Sequence, residues 1–310
     1  ETSTNQPNFR NIIINGDMSL AQRATSVTSI SSGNTIHTCD RWKTYASSAG
    51  TWTQTQEALT TGDPYTNGFA TSLKLDCTTA NGSLSSGSYL IVAQSIEAQN
   101  LQYIKKGTSN AEQLTASFWV KSTNTTNTNT IEHIFRQDSS FIIRQYADTI
   151  DVFVSPNSWN SVDYVASATF TPNTWIHITI VIDLRTGIAN NDAIKIYQNG
   201  EELTTSSIGS YTSMIGVSSI DNTDNFKFLG GSGENNGFTG YLDDFRIYDK
   251  VLTQIEIGYL ANNMILNPDY KILTFVYDNQ NDISGQTTYT ISFENPTECD
   301  IVLIGGGGGG

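Results

Sequence analysis

Charge is what this sequence has little of. Only 15% of its 310 residues are Asp, Glu, Lys or Arg, against roughly 25% in an ordinary soluble domain. The 16 basic residues face 30 acidic ones, for a net charge of −14. With no Lys/Arg cluster, the chain is not built to neutralise phosphates, which argues against a nucleic-acid partner. Apolar runs are short as well. None approaches the roughly 20 residues that cross a bilayer, so no membrane insertion is expected. No signal peptide is visible at Glu1, as in a mature or trimmed start. Sustained apolar stripes at helical spacing are missing, which excludes a helical bundle or coiled coil.

Cysteine and histidine are equally sparse. Cys39, Cys77 and Cys299 are an odd, widely spaced set, so they form neither a disulfide framework nor a metal-ligand pattern. Buried free thiols are the simplest reading; a Cys39–Cys77 bridge is the alternative. The histidines are His37, His133 and His177, and none has a motif around it. G-x-S-x-G, phosphate-loop and H-E-x-x-H signatures do not occur. Asn81 and Asn124 open N-x-S/T sequons, relevant only on a eukaryotic secretory route.

Ser, Thr, Asn, Gln and Gly replace the missing charge, as in TNTTNTNT and TSISSGNT. At 37% hydrophobic and 10% aromatic the chain still has a large core to bury. Its dominant period is two. Ile176, Ile178, Ile180 and Ile182 fall on one face of a strand, with His177, Thr179, Val181 and Asp183 on the other, so His177 is expected at the surface or on a sheet face. Ile150, Val152 and Val154 repeat the pattern, as do Ile194 and Ile196, and Phe226 and Phe228. Asn199-Gly200 supplies the positive φ angles of a two-residue hairpin turn. The reading is all-β: an antiparallel two-sheet sandwich with one short C-terminal helix. That helix is predicted over about 254–261, opened by a capping box, Thr253 to Glu256, with Leu252 and Ile257 as a hydrophobic staple.

The organisation follows: a polar lead-in at 1–8, the sandwich at 9–262, and the start of a second, small β and glycine-rich unit at 263–310. Within 9–72, NIIING and DRWKTYA read as strands. The last unit offers KILTFVYD, TTYTISF and CDIVLI as strands and ends in six glycines. Such a run cannot hold a packed conformation alone, so the natural protein is expected to continue.

Three resemblances overlay this reading. Asn11-Ile-Ile-Ile-Asn-Gly-Asp-Met18, Ala21-Gln22-Arg23, Asp40-Arg41-Trp42, Gln94-Ser-Ile-Glu97, Gly107-Thr-Ser-Asn-Ala111 and Ser117-Phe-Trp-Val-Lys-Ser122 resemble a module of phage tail-fibre and other virion surface proteins. Leu73-Lys-Leu-Asp76, Phe118-Trp-Val120, Thr174-Trp-Ile-His177, Ile196-Tyr-Gln-Asn-Gly-Glu201 and Phe238 through Asp249, with Leu252 to Ile257, resemble laminin-G-like domains of the concanavalin A-like superfamily, over about 73–262. That resemblance makes the sandwich a jelly roll, with the tail-fibre-like segment 9–72 supplying its first strands. Phe293 to Ile304 and the glycines resemble a segment of large-DNA-virus proteins. Together they imply a virion-surface or extracellular fibre module, trimeric by resemblance, whose partner is a host-surface glycan. A purely structural, trimerising spacer is the alternative, and a glycan hydrolase a third.

Catalysis is not expected. Retaining glycosidases need two carboxyl groups about 5–5.5 Å apart, whereas Asp243-Asp244 and Glu201-Glu202 are adjacent and point to opposite faces of a strand. The laminin-G resemblance implies calcium in rim loops. Asp221, Asp224 and Asp243 are the expected ligands, with ordinary Asx turns as the alternative. For a sugar, a loop Trp159 assisted by Tyr146 and Tyr211 offers aromatic faces, with a Trp159 that only packs down on the sheet as the alternative; Trp119 and Trp175 are expected in the core. The basic residues form no patch for an anionic polymer, and the acidic surface argues against sulfated or sialylated ligands unless calcium bridges them.

Overall fold

The computed structural model describes residues 11–261 except 86, 106–111, 124–130, 138–140, 147–148, 158–159, 169, 184–192, 209–225 and 229–237. The chain divides into two compact units, Glu1–Leu266 and Asn267–Gly310. The three C-terminal strand candidates lie outside the described residues.

In chain order the elements are β1 (Ser26–Thr35), β2 (Lys43–Ala58), α1 (Asp63–Thr66), β3 (Thr71–Thr79), β4 (Tyr89–Ala93), α2 (Ala98–Leu101), β5 (Leu114–Ser122), β6 (Ile131–Gln137), β7 (Phe141–Tyr146), β8 (Thr149–Asn157), β9 (Asn160–Ser167), β10 (Ile176–Ile182), β11 (Ile194–Gln198), β12 (Glu201–Glu202), β13 (Thr205–Ile208), β14 (Phe226–Phe228), β15 (Gly240–Tyr248) and α3 (Gln254–Leu260). All strand pairs are antiparallel, and they form two layers of a jelly-roll sandwich. One layer runs β12-β11-β10-β5-β15-β3 and the other β4-β14-β6-β7-β8-β9-β13. The long strand β2 joins them: Lys43–Ser47 pair with β4 and Thr51–Ala58 with β3.

The period-two pattern decides the core. Ile176, Ile178, Ile180, Ile194 and Ile196 face inward from the first layer, and Ile143, Ile150, Val152 and Ala166 from the second. Phe245 sits between the layers. Its ring stacks on Phe118 at 5.2 Å, tilts against Phe135 at 5.5 Å and meets the edge of Trp42 at 6.4 Å. A β-bulge aims it there. The β5–β15 register slips between Asp243 and Arg246, and Asp244 has φ 47°. The predicted hairpin turn is present, with Asn199 at φ 51° and Gly200 at φ 88°. So is the capping box: Glu256 N donates to Thr253 Oγ1 and Thr253 N to Glu256 Oε2.

One expectation fails and another holds only in part. NIIING is not a strand. Asn15 turns at φ 55°, and the segment closes back on β15 through Ile12 N to Ile247 O and Phe245 N to Gly16 O. Side chains finish the clasp. Asn11 Oδ1 accepts from Ile13 N and Ile247 N, and Asn15 bonds Leu20 and Asp40. A Cβ on Gly16 would fall on the Phe245 carbonyl. His177 lies on the outer sheet face, one of the two places expected for it, but that face is covered and the residue is fully buried, not at the surface. All of β10 is buried, because the outer face of its layer is covered at one end by α3 and at the other by the segment between β2 and β3. Cys39 and Cys77 are free, and burial pushes the Cys39 thiol up to about 12.

Candidate functional site

That covered outer face gathers buried polar groups between two apolar clusters. Tyr197, Tyr248, Leu252 and Ile257 form one cluster, and Leu59, Trp119 and Trp175, with Phe69 and Tyr241, form the other. Trp119 and Trp175 are thus buried, as expected, but in this outer cluster and not between the layers.

His177 and Arg246 mark the polar seam. His177 Nε2 and Ser117 Oγ are 2.9 Å apart, and the imidazole meets the Trp119 ring edge-to-face at 5.0 Å. Burial, then the nearby Arg246 cation, lowers the His177 pKa to about 3. Among the described residues Nδ1 has no hydrogen-bond partner. A serine–histidine pair needs an accessible serine and a base oriented by a third group; this one is sealed, and its base resists protonation. Beside it Arg246 Nε donates to Asp244 Oδ1 at 2.5 Å and Nη1 to Tyr248 Oη at 3.2 Å. Asp243 is fully buried, and burial lifts its carboxyl to about 9, with Asp244 and Asp17 adding to the effect and the Asp244 N–H bond opposing it. Burial raises Asp244 to about 6 against the pull of Arg246. Both carboxyls are buried, so neither is presented to a glycosidic bond.

Calcium asks for six to eight oxygens. Asp243 contributes one buried carboxylate oxygen that has no hydrogen-bond partner among the described residues. Among the described residues, no three His, Cys, Asp or Glu side chains come close enough to share an ion, so those residues do not make up the expected set. Asp221 and Asp224 lie outside them, as do Trp159 and Tyr211. Tyr146 ends β7, opposite Ile131 and Thr149. Of the six expected site residues, the two that are described, Asp243 and Tyr146, therefore stand on strands of different layers.

A different constellation is present where the outer face opens. Tyr241 on β15 stands opposite Lys74 on β3 and Lys121 on β5. Lys121 Nζ lies 3.8 Å and Lys74 Nζ 5.4 Å from the Tyr241 ring centre. Trp175 meets the same ring edge-on at 5.8 Å, and Lys121 also lies 5.0 Å over Trp175. Arg246 lies over Phe69 at 5.9 Å. Tyr241, Phe69, Lys74 and Lys121 are all partly exposed. None of these four is singled out by the sequence alone, although three of them sit in the family-like blocks LKLD, FWVK and FTGYLDD. The available signal is the shared outward phase of Lys74, Lys121 and Tyr241 on three strands, usable only once β15 is known to lie between β3 and β5. A separate cleft of about 540 Å³ between β1, β2 and β3 is lined by Ser31, Ser32, Ser47, Thr51, Thr79 and Asn81 and has hydroxyls but no aromatic wall.

Residues 95–258, more than half of the chain, match the laminin-G family described as the concanavalin A-like lectin/glucanases superfamily. The chain belongs to that superfamily, and its sandwich, capped outer face and closing helix are the form the family takes here. Comparison with curated protein sequences gave no match. Among solved structures, the binding domain of botulinum neurotoxin DC in complex with rat synaptotagmin II is 15% identical, with TM-score 0.47, covering 78% of this chain and 52% of that one. A structure described as a receptor binding domain is 17% identical, with TM-score 0.47 and coverage of 77% and 51%. The receptor binding domain of a botulinum neurotoxin C/D mosaic serotype is 20% identical, with TM-score 0.44 and coverage of 64% and 44%. The chain spans about half the length of the first two.

Proposed function

We propose that this chain is a non-catalytic adhesion module of a virion surface fibre, and that it binds host-surface saccharide on the outer face around Tyr241. One observation carries the reading: a partly exposed aromatic cluster, Tyr241 and Phe69 backed by Trp175, is ringed by polar side chains on a rigid sheet. Sugars are held by stacking on such rings and by fixed polar groups at their edges. Superfamily membership supports the reading, and so does the burial of the adjacent acids Asp243 and Asp244. The tail-fibre-like opening supports the viral setting. A glycan array probed with wild type and Tyr241→Ala tests it: binding lost in the variant with an unchanged melting curve is the expected result, and no binding at high protein density sinks it.

The structural-spacer reading has its own support. Asn11, Asn15, Gly16 and Gln94, all within the tail-fibre-like motif, are spent on closing the fold. A trimer by light scattering in which Tyr241 is occluded would favour that reading.

A further inference from the structure

Lys74 and Lys121 are out of character for this chain. In a sequence of net charge −14, two ammonium groups stand on strands either side of β15 with one tyrosine ring between them. The ion pairs of the described residues use Lys105, Lys195, Lys250, Arg41, Arg144 and Arg246, and among those residues neither Lys74 nor Lys121 has a carboxylate at that range. Glu57 and Asp76 act on them only from beyond salt-bridge distance. Burial, with Lys74 adding to the effect and Glu57 opposing it, lowers the Lys121 pKa, so this lysine is partly desolvated, set against the Tyr241 and Trp175 rings, and among the described residues has no carboxylate in contact. Such a pair repels and gains when an anion settles between its members.

We propose that Lys74 and Lys121 seat the anionic group of an acidic saccharide, a carboxylate or sulfate, while Tyr241 and Phe69 hold the apolar face of its ring. The inference rests on the saccharide reading above and goes further by naming the ligand's charge. It also reverses the expectation, drawn from overall composition, that acidic sugars are repelled: net charge is global, whereas the contact is local. An acidic peptide fits less well. Peptides that bind sheets add to a free strand edge, and here β15 is paired on one side with β3 and on the other with β5 along this stretch. The ligand must therefore approach side chains alone, from above the sheet, as a flat sugar ring can.

The test is calorimetric titration with a galacturonic acid oligomer, its carboxyl-reduced neutral counterpart, a sulfated galactose oligomer and poly-glutamate, against wild type, Lys74→Gln/Lys121→Gln and Lys74→Arg/Lys121→Arg. Expected is at least about tenfold tighter binding of one acidic oligomer than of the neutral one, lost in the Gln pair, kept in the Arg pair and weakened by salt. Which acidic oligomer binds tells carboxylate from sulfate. Equal binding of acidic and neutral oligomers, unchanged in the Gln pair, overturns the inference and leaves the saccharide reading standing. Binding of no oligomer by wild type overturns both. Poly-glutamate binding as tightly as the acidic sugars overturns the inference in favour of an acidic peptide. Unaltered melting curves confirm that the variants are folded.

Discussion

Gln94 reaches back eighty positions to take both hydrogen bonds of the Ile14 backbone. Its Nε2 donates to Ile14 O and its Oε1 accepts from Ile14 N, each at 2.8 Å. A side-chain amide thus stands in for a strand, and pins the opening segment to the end of β4. Each such part-buried hydrogen bond is worth about 0.5–1.5 kcal/mol, so the pair is worth about 1–3 kcal/mol. Gln94→Ala should lower stability by that amount in urea unfolding. Gln94→Glu should be no better, since a carboxylate cannot donate to Ile14 O. Wild-type stability in both would mean that the clasp is not closed in solution.

Gly16→Ala probes the same clasp from the backbone side. The new methyl would meet the Phe245 carbonyl, so the segment must move off β15. Overpacking of this kind costs on the order of 1–3 kcal/mol, and a drop in melting temperature is expected. Glycan binding by the surviving folded fraction should be unchanged, which separates the structural role of the opening segment from the binding face.

His177 makes acid the weak side of this fold. Its pKa is about 3 when folded, against the usual 6.5. The unfolded chain therefore binds the extra proton first. The stability of the neutral, buried imidazole is fully present above about pH 6.5 and is lost as pH falls toward 3, by up to roughly 1.4 kcal/mol per pH unit. His177→Gln should flatten that part of the stability–pH curve. An unchanged slope would mean that the ring is open to water.

Asp243 works the other way. Its folded pKa is raised to about 9 from 3.8, so the fold holds a proton that the unfolded chain has released. The stability of the protonated form is greatest below about pH 4 and declines as pH rises toward 9. Asp243→Asn keeps the acceptor for the Asp244 N–H without the charge. It should raise the melting temperature at pH 8 and do little at pH 4. A lower melting temperature at pH 8, together with a calcium-induced rise in wild type that the variant loses, would mean instead that a cation holds the carboxylate ionised.

What the residues disclose in advance is local. Alternation along Ile176–Ile182 places one face in the core whatever its neighbours, and Asn199-Gly200 and Thr253–Glu256 specify a turn and a cap within a few residues. What they conceal is long-range. Three isoleucines make 12–14 look like a strand, but Asn15 and Gly16 bend the chain to meet β15, more than two hundred positions away. His177 looks like a polar-face residue because nothing near it announces the cover that α3 and the segment before β3 place over that face. Lys74, Lys121 and Tyr241 are unremarkable singly. Only the strand order β5-β15-β3 sets them side by side.

The most direct test is a structure of the chain soaked or co-crystallised with an oligosaccharide that binds in solution. The account predicts sugar density over Tyr241, with polar contacts from Lys74 and Lys121, on the outer face of β3, β15 and β5. Sugar seated instead in the Ser/Thr-lined cleft between β1, β2 and β3, or anywhere else with Tyr241 left bare, would contradict it.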